Sequence, residues 1–249
     1  MMRYQFTTNK KGLILSIVGV VLVIFLSQIE GIVGAFRAED LLQNGYSADL
    51  ILTALSSDWM ILALPILAAL PCTADFVDEV KSGFIKEYLP RTTVKKYIGG
   101  KIATCTLSGG FILAAGILLA YGVSVLVFSP VEGPLEEDVA VRHYLAEIVS
   151  RSALFFVSGA FWALVGMTFS TITNSKYMAY ASPFIFYYVL IILNERYFPD
   201  FYILYPKEWL SPSEFWVMGS WGVALWLLEL SIIMAFVFTI AAKRRIGKL

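Results

Sequence analysis

Histidine is nearly missing from this chain of 249 residues and cysteine is scarce: His143 is the only histidine, and Cys72 and Cys105 are the only cysteines. A lone histidine in a polar stretch leaves no multi-histidine metal site and no Ser–His dyad inside a membrane. Two cysteines make no disulfide framework, and both read as small apolar filler. No G-x-x-x-x-G-K-[ST] run occurs, which excludes nucleotide binding through that loop, and neither G-x-S-x-G nor H-E-x-x-H is present. Charge is thin as well, at 15% of residues, with 19 acids against 19 strong bases.

What is present is apolar. Hydrophobic residues make up 58% of the chain and mean hydropathy is +0.73, far more than a soluble domain of this length needs. Several runs reach the ~20 residues that a helix needs to cross a bilayer's hydrocarbon core. The expected fold is an all-α membrane protein, one transmembrane domain over 1–249 with six helices near 12–29, 50–74, 102–128, 152–172, 178–194 and 222–242. The first run is too long for a secretory signal and lacks its small-residue cleavage site, so it reads as a retained helix. The second helix starts either near Leu50 or at Trp59; the shorter version uses Ser57 or Asp58 as its N-cap. Pro65, Pro71 and Pro183 fall inside expected helices, where neighbours must satisfy the freed carbonyls.

The charges are segregated. Arg3, Lys10, Lys11, Lys176, Lys243, Arg244, Arg245, Lys248 and the bases between Asp75 and Lys101 fall on one side of six alternating helices. Glu30, Glu39, Asp40, Asp49, Glu132, Glu136, Glu137, Asp138 and Glu147 fall on the other. The positive-inside rule then expects both termini in the cytoplasm of a multi-pass cell-membrane protein.

The stretch Asp75–Lys101 is the longest strongly charged run between two apolar blocks, with Lys81, Lys86, Arg91, Lys95, Lys96 and Lys101. Phe76, Val80, Phe84 and Ile85, then Tyr88 and Leu89, recur at helical spacing, which predicts an amphipathic helix over 75–89. Pro90 should end it, and Val94, Tyr97 and Ile98 open a second helical pattern that runs into the next apolar block. By pattern alone the stretch is either an orienting charged loop or a docking helix for a soluble partner.

Three further constellations are candidates for a role. Glu229, in WLLELS, is an ionisable group in a membrane helix, a costly placement unless it is paired or wet; it either touches a cargo or packs against a hydroxyl. Asp58 is the only other carboxylate so placed, and capping alone explains it. Gly159, Ala163, Gly166 and Ser170 form a small-residue stripe, suited to close packing within the subunit or to a pathway or dimer face. The segment 195–221 is rich in aromatics, among them Tyr202, Tyr205, Trp209, Phe215 and Trp216, and is broken by Pro199, Pro206 and Pro212. It reads as an interfacial belt or as short re-entrant helices that close a pathway from outside.

The loop Glu79-Val-Lys-Ser-Gly83-Phe-Ile-Lys-Glu-Tyr-Leu89-Pro-Arg91, with Tyr97 and Lys101 after it, resembles the cytoplasmic loop of ABC-2-type transporter permeases. In that family a glutamate precedes a glycine by a few residues, and a short helix, an arginine, a tyrosine and a lysine that opens the third helix follow. Glu79, Gly83, Arg91, Tyr97 and Lys101 match; Phe84 departs from the usual threonine or serine. The resemblance implies a coupling helix at 75–89 that docks on a separate ATPase through Asp75, Asp78, Glu79, Gly83, Phe84, Lys86 and Arg91. It also implies two ATPase chains carrying ATP and Mg, a second permease copy or paralogue, no cofactor or metal in this chain, and no nucleic acid. The expected function is export of an amphipathic or lipophilic substrate, such as a toxin or antimicrobial peptide, with no covalent chemistry in this chain. The alternatives are an intramembrane enzyme using Asp58 and Glu229, and a non-transporting immunity or sensor protein.

Overall fold

The computed structural model describes residues 10–37, 41–133, 138–214, 216 and 218–248. Arg3, Glu39, Asp40, Glu136, Glu137 and Phe215 lie outside the described residues. Ten α-helices follow one another among the described residues: α1 (Lys10–Ser27), α2 (Ile29–Arg37), α3 (Tyr46–Leu55), α4 (Asp58–Ala69), α5 (Asp75–Lys81), α6 (Phe84–Tyr88), α7 (Val94–Phe128), α8 (Asp138–Thr173), α9 (Lys176–Tyr197) and α10 (Ser220–Ile246). No strand occurs among these residues, only an isolated bridge between Leu42 and Glu132.

Helices α7, α8 from His143 onward, α9 and α10 are each long and apolar enough to cross a membrane. Two bent pairs raise the number to six if each pair is one span: α1 with α2, bent by 61°, and α3 with α4, bent by 69°. The chain therefore has the helical, apolar build of a multi-pass membrane protein.

The breaks have local causes. Ser27 Oγ donates to Ile24 O (2.8 Å) and Gln28 N to Phe25 O (3.3 Å), tightening the last turn of α1 before α2 starts on a new axis. Ser57 both closes α3 and opens α4: its Oγ donates to Ala54 O (2.6 Å) and accepts from Met60 N (3.3 Å). This is the N-cap the shorter reading expected, but the chain before it is helical too, so the expected single helix over 50–74 is two helices followed by turns at 70–74.

α7 starts at Val94, well before 102, because Thr93 caps it by accepting from Lys96 N (3.4 Å). Its 35 residues span about 52 Å at 1.5 Å per residue, more than the ~30 Å of a hydrocarbon core. One end must therefore stand in the headgroup layer or water. α8 starts at Asp138, not at 152, so most of the loop expected over 129–151 is helix. Hydropathy reads its first turns as polar. Yet Tyr144 packs against the core cluster, Ile148 and Phe155 are buried in it, and Arg151 Nη1 donates to Leu210 O (2.9 Å). α9 and α10 each extend a few residues beyond the expected 178–194 and 222–242.

α8 is the most enclosed of the four unbroken spans and α10 the least. Glycines bring α8 into backbone contact with α7. A Cβ added at Gly109 would stand 2.5 Å from Ala163 Cβ and 2.8 Å from Gly159 O, and one at Gly159 2.6 Å from Gly109 O. One at Gly166 would stand 2.5 Å from Ala179 O of α9. Gly159, Ala163 and Gly166 are thus filled from both sides within this chain and do not line a passage through it. Ser170 belongs to the same buried set, its Oγ donating to Thr73 O (3.1 Å).

Candidate functional site

The chemistry of the bundle concentrates where α5 and α6 fold back on the start of α7. The 75–89 stretch is not one helix. Ser82 N bonds to Asp78 O (2.9 Å) and Gly83 N to Val80 O (3.3 Å), a C-terminal closure that puts the next residue in the left-handed region. Gly83 has φ +77, and nothing lies within 4 Å of where its Cβ would be. Its glycine is required by the turn; no backbone of this chain approaches it closely. α6 begins at Phe84 and ends at Tyr88, and Leu89–Arg91 is a 3-10 turn that carries Pro90, as the proline predicts.

Apolar side chains pin these short helices to the bundle. Phe76 and Val77 of α5 and Ile85 of α6 are buried. Phe76 sits edge-on to Phe238 of α10, with ring centroids 5.5 Å apart, and also reaches Tyr97. Tyr88 packs against Tyr97 at 5.7 Å. Burying an aromatic or a large aliphatic side chain is worth about 2 kcal/mol each, so α5 and α6 are fixed parts of the bundle end and not a loose loop.

The carboxylates of α5 turn toward the protein. Glu79 Oε1 accepts from Lys101 Nζ at 2.7 Å, and its Oε2 accepts from the Tyr97 hydroxyl. The Lys101 side chain is 5% exposed and that of Glu79 19%. Asp75, one turn before Glu79, is half-buried; burial pushes its carboxyl up to about 6, with Lys101 pulling it down and Glu79 and Asp78 pushing it up. Asp78 forms an ion pair with Lys176, at the start of α9, at 2.7 Å; both groups are exposed to solvent screening. Three carboxylates on one short helix thus reach toward two spans, α7 and α9. Glu79 was expected to offer its charge to a partner; both its oxygens already serve α7.

The other side of α5 and α6 is open. Lys81, Phe84, Lys86, Glu87, Arg91, Lys95 and Lys96 are exposed, and Phe84 stacks on Tyr88 at 5.6 Å. The seven residues expected to couple to an ATPase therefore divide: Asp78 and Glu79 join the helices together, Asp75 lies half-buried beside them, Gly83 sets the turn, and Phe84, Lys86 and Arg91 face outward. Tyr97 and Lys101, named in the sequence only as matches to a pattern, complete the inner network. A lysine one turn after a tyrosine, at the start of an apolar run, was the signal.

The pathway and outer candidates do not assemble. Asp58, 82% exposed, lies 3.6 Å from Lys207. Glu229 is exposed on α10, and no bond joins it to Asp58 or to a neighbouring hydroxyl among the described residues. A two-carboxylate intramembrane site needs both groups enclosed within the bundle, and both of these are exposed on its surface. Among its described residues, the outer segment forms turns around one 3-10 helix, Tyr202–Leu204, in place of the expected re-entrant helices. Trp209 is buried there, donating from Nε1 to Ile203 O (2.9 Å) and stacking on Trp162 at 6.0 Å. Tyr202 meets Trp216 edge-on at 5.5 Å, and Tyr205 donates to Glu195 Oε1 (3.1 Å). These rings close the end of the bundle more than they form a belt. Among the described residues no group of three or more His, Cys, Asp or Glu is placed to hold a metal.

Compared with known proteins, the chain matches no family model, no curated protein and no solved structure.

Proposed function

We propose that this chain is the membrane-spanning subunit of an ATP-driven exporter of the ABC-2 type, with α5 and α6 as the element that docks on a separate ATPase chain. One observation carries the reading: α5 and α6 are bound to the spans on one face and open and basic on the other. Phe76, Ile85 and the Glu79–Tyr97–Lys101 bonds tie them to α7 and α10. Phe84, Lys86 and Arg91 remain free to meet a partner. A force applied to such an element reaches the membrane helices without loss in a flexible link, which is what coupling to a soluble motor requires.

In this reading each bent pair is one span, six spans place both termini on the side of the basic residues, and that side is the cytoplasm. ATP and Mg act on the partner chain. Two copies of this chain, or this chain and a paralogue, enclose the pathway between them. The cargo is amphipathic or lipophilic, a peptide such as a toxin or antimicrobial peptide being the best fit to an apolar pathway.

The test is capture of an ATPase chain, sought first in the reading frames next to this one. Both are co-expressed and purified through a tag on this chain, and ATP hydrolysis is measured in lipid. Wild type should retain the ATPase, and Lys86→Glu with Arg91→Glu should release it while the membrane level stays unchanged. Equal capture by both proteins, or no capture by wild type, overturns the assignment.

A further inference from the structure

The ends of α8 and α10 meet in a groove of ≈ 400 Å³. Arg245 builds it. Its Nε donates to Thr171 O (3.0 Å) and its Nη2 to Ile172 O (2.7 Å), so the guanidinium closes the open carbonyl end of α8. That clamp holds the last turns of α10 beside α8 and uses Arg245 up.

Two cations are left over. Arg244 and Lys248 line the same groove, are exposed, and lie four residues apart, Lys248 just past the end of α10 at Ile246. Neither is in an ion pair among the described residues, and no acidic residue lines the groove. Below them the wall is apolar: Ile172, Val237, Ile240 and Ala241. Ile172, Val237 and Ile240 are all partly solvent-exposed. The groove is cationic at its mouth and greasy along its length, at the level where the span α10 gives way to its basic end.

We propose that this groove binds an anionic phospholipid, its phosphate between Arg244 and Lys248 and an acyl chain along Val237 and Ile240. A free phosphate would use only the cations. An apolar helix from another chain would bury both charges without a counter-charge, at a high desolvation cost. A zwitterionic lipid brings its own cation up against Arg244 and Lys248. An anionic amphiphile satisfies both halves of the site, and basic pockets between membrane helices recognise such head groups through the same chemistry. The site stands whether or not the chain is a transporter.

Native mass spectrometry of the full chain released from detergent tests it, with phosphatidylglycerol and phosphatidylcholine titrated in parallel. Wild type should hold phosphatidylglycerol more tightly than phosphatidylcholine. Arg244→Gln or Lys248→Gln alone should lower phosphatidylglycerol affinity by roughly 5-fold, and the pair by about 25-fold, with phosphatidylcholine binding unchanged. Arg244→Lys should keep most of the preference. Because the single variants each remove one exposed charge, they serve even if the double variant does not fold. The proposal is overturned if wild type does not discriminate between the lipids, or if the glutamine variants keep its preference. Displacement of the lipid by glycerol phosphate at equal concentration, or loss of a lipid-free dimer in the glutamine variants, overturns it as well.

Discussion

Glu79→Ala tests the inner network most directly. The substitution removes both acceptors at once, stranding the Lys101 ammonium, 5% exposed, and the Tyr97 hydroxyl that donates to Glu79. Removing one partner of a buried ion pair costs about 3–5 kcal/mol. Glu79 itself is 19% exposed, so water reaches the pair from its side, and the lower end, about 3 kcal/mol, applies. Lys101→Met should cost less, about 1–2 kcal/mol, because Glu79 keeps the tyrosine bond and can turn to solvent. In the double variant no charge is left unpaired, so its loss should fall well short of the sum of the two. The assay is a double-mutant cycle by equilibrium unfolding in mixed micelles of a mild detergent and dodecyl sulfate, followed by tryptophan fluorescence. Additivity of the two losses to within about 0.5 kcal/mol would refute the claim that this pair joins α5 to α7. Asp75 provides an internal check. It lies near enough to Lys101 to feel its charge, so Asp75→Asn in the Glu79→Ala background should worsen the defect, with no acid left to replace the missing partner.

Other outcomes follow from single features. Gly83→Leu should strain the turn by about 1–2 kcal/mol and weaken ATPase capture, whereas Gly83→Asn, which tolerates φ +77, should retain capture; equal behaviour of the two would remove the backbone argument. The Asp75 carboxyl rises to about 6 in the fold from about 3.9 in the unfolded chain, so its contribution is full below pH 4 and is lost as pH rises through 6. Detergent-solubilised protein should therefore melt higher at pH 5 than at pH 7, and Asp75→Asn should flatten that slope. Gly159→Val drives a side chain into Gly109 O, 2.6 Å from the added Cβ, and should cost more than about 3 kcal/mol, read as loss of folded protein in membranes. Cysteines at Lys95 and Lys243 should resist an impermeant thiol reagent on intact cells, while one at Lys207 should react; labelling at 95 would reverse the orientation.

Local chemistry was legible wherever a single residue decides. The Ser57 cap and the stop at Pro90 each follow from one side chain acting on its own backbone, and the helical restart at Val94 from the spacing of Val94, Tyr97 and Ile98. Less legible was what depends on a partner far along the chain. The first turns of α8 look like a loop because Glu147 and Arg151 depress their hydropathy, yet Arg151 spends its charge on a carbonyl of the outer segment. Glu79 was readable as a charge on the expected 75–89 helix, but its direction was not, because two donors 18 and 22 residues away set it. The stripe from Gly159 to Gly166 announced close packing; which neighbour filled it depended on Gly109 and Ala179, on two other helices.

The contact between Gly109 and Gly159 has a mechanical consequence. Helices that meet through interdigitating side chains can slide by changing rotamers, but here main chain approaches main chain, with Ala163 Cβ and the end of Leu113 beside the contact. α7 and α8 therefore meet stiffly there, and in the proposed exporter a load placed on α5 through Lys101 would move the two together. Under that proposal the bends at Gln28 and at Ser56–Ser57 and the turns at 70–74 are where such a motion would hinge.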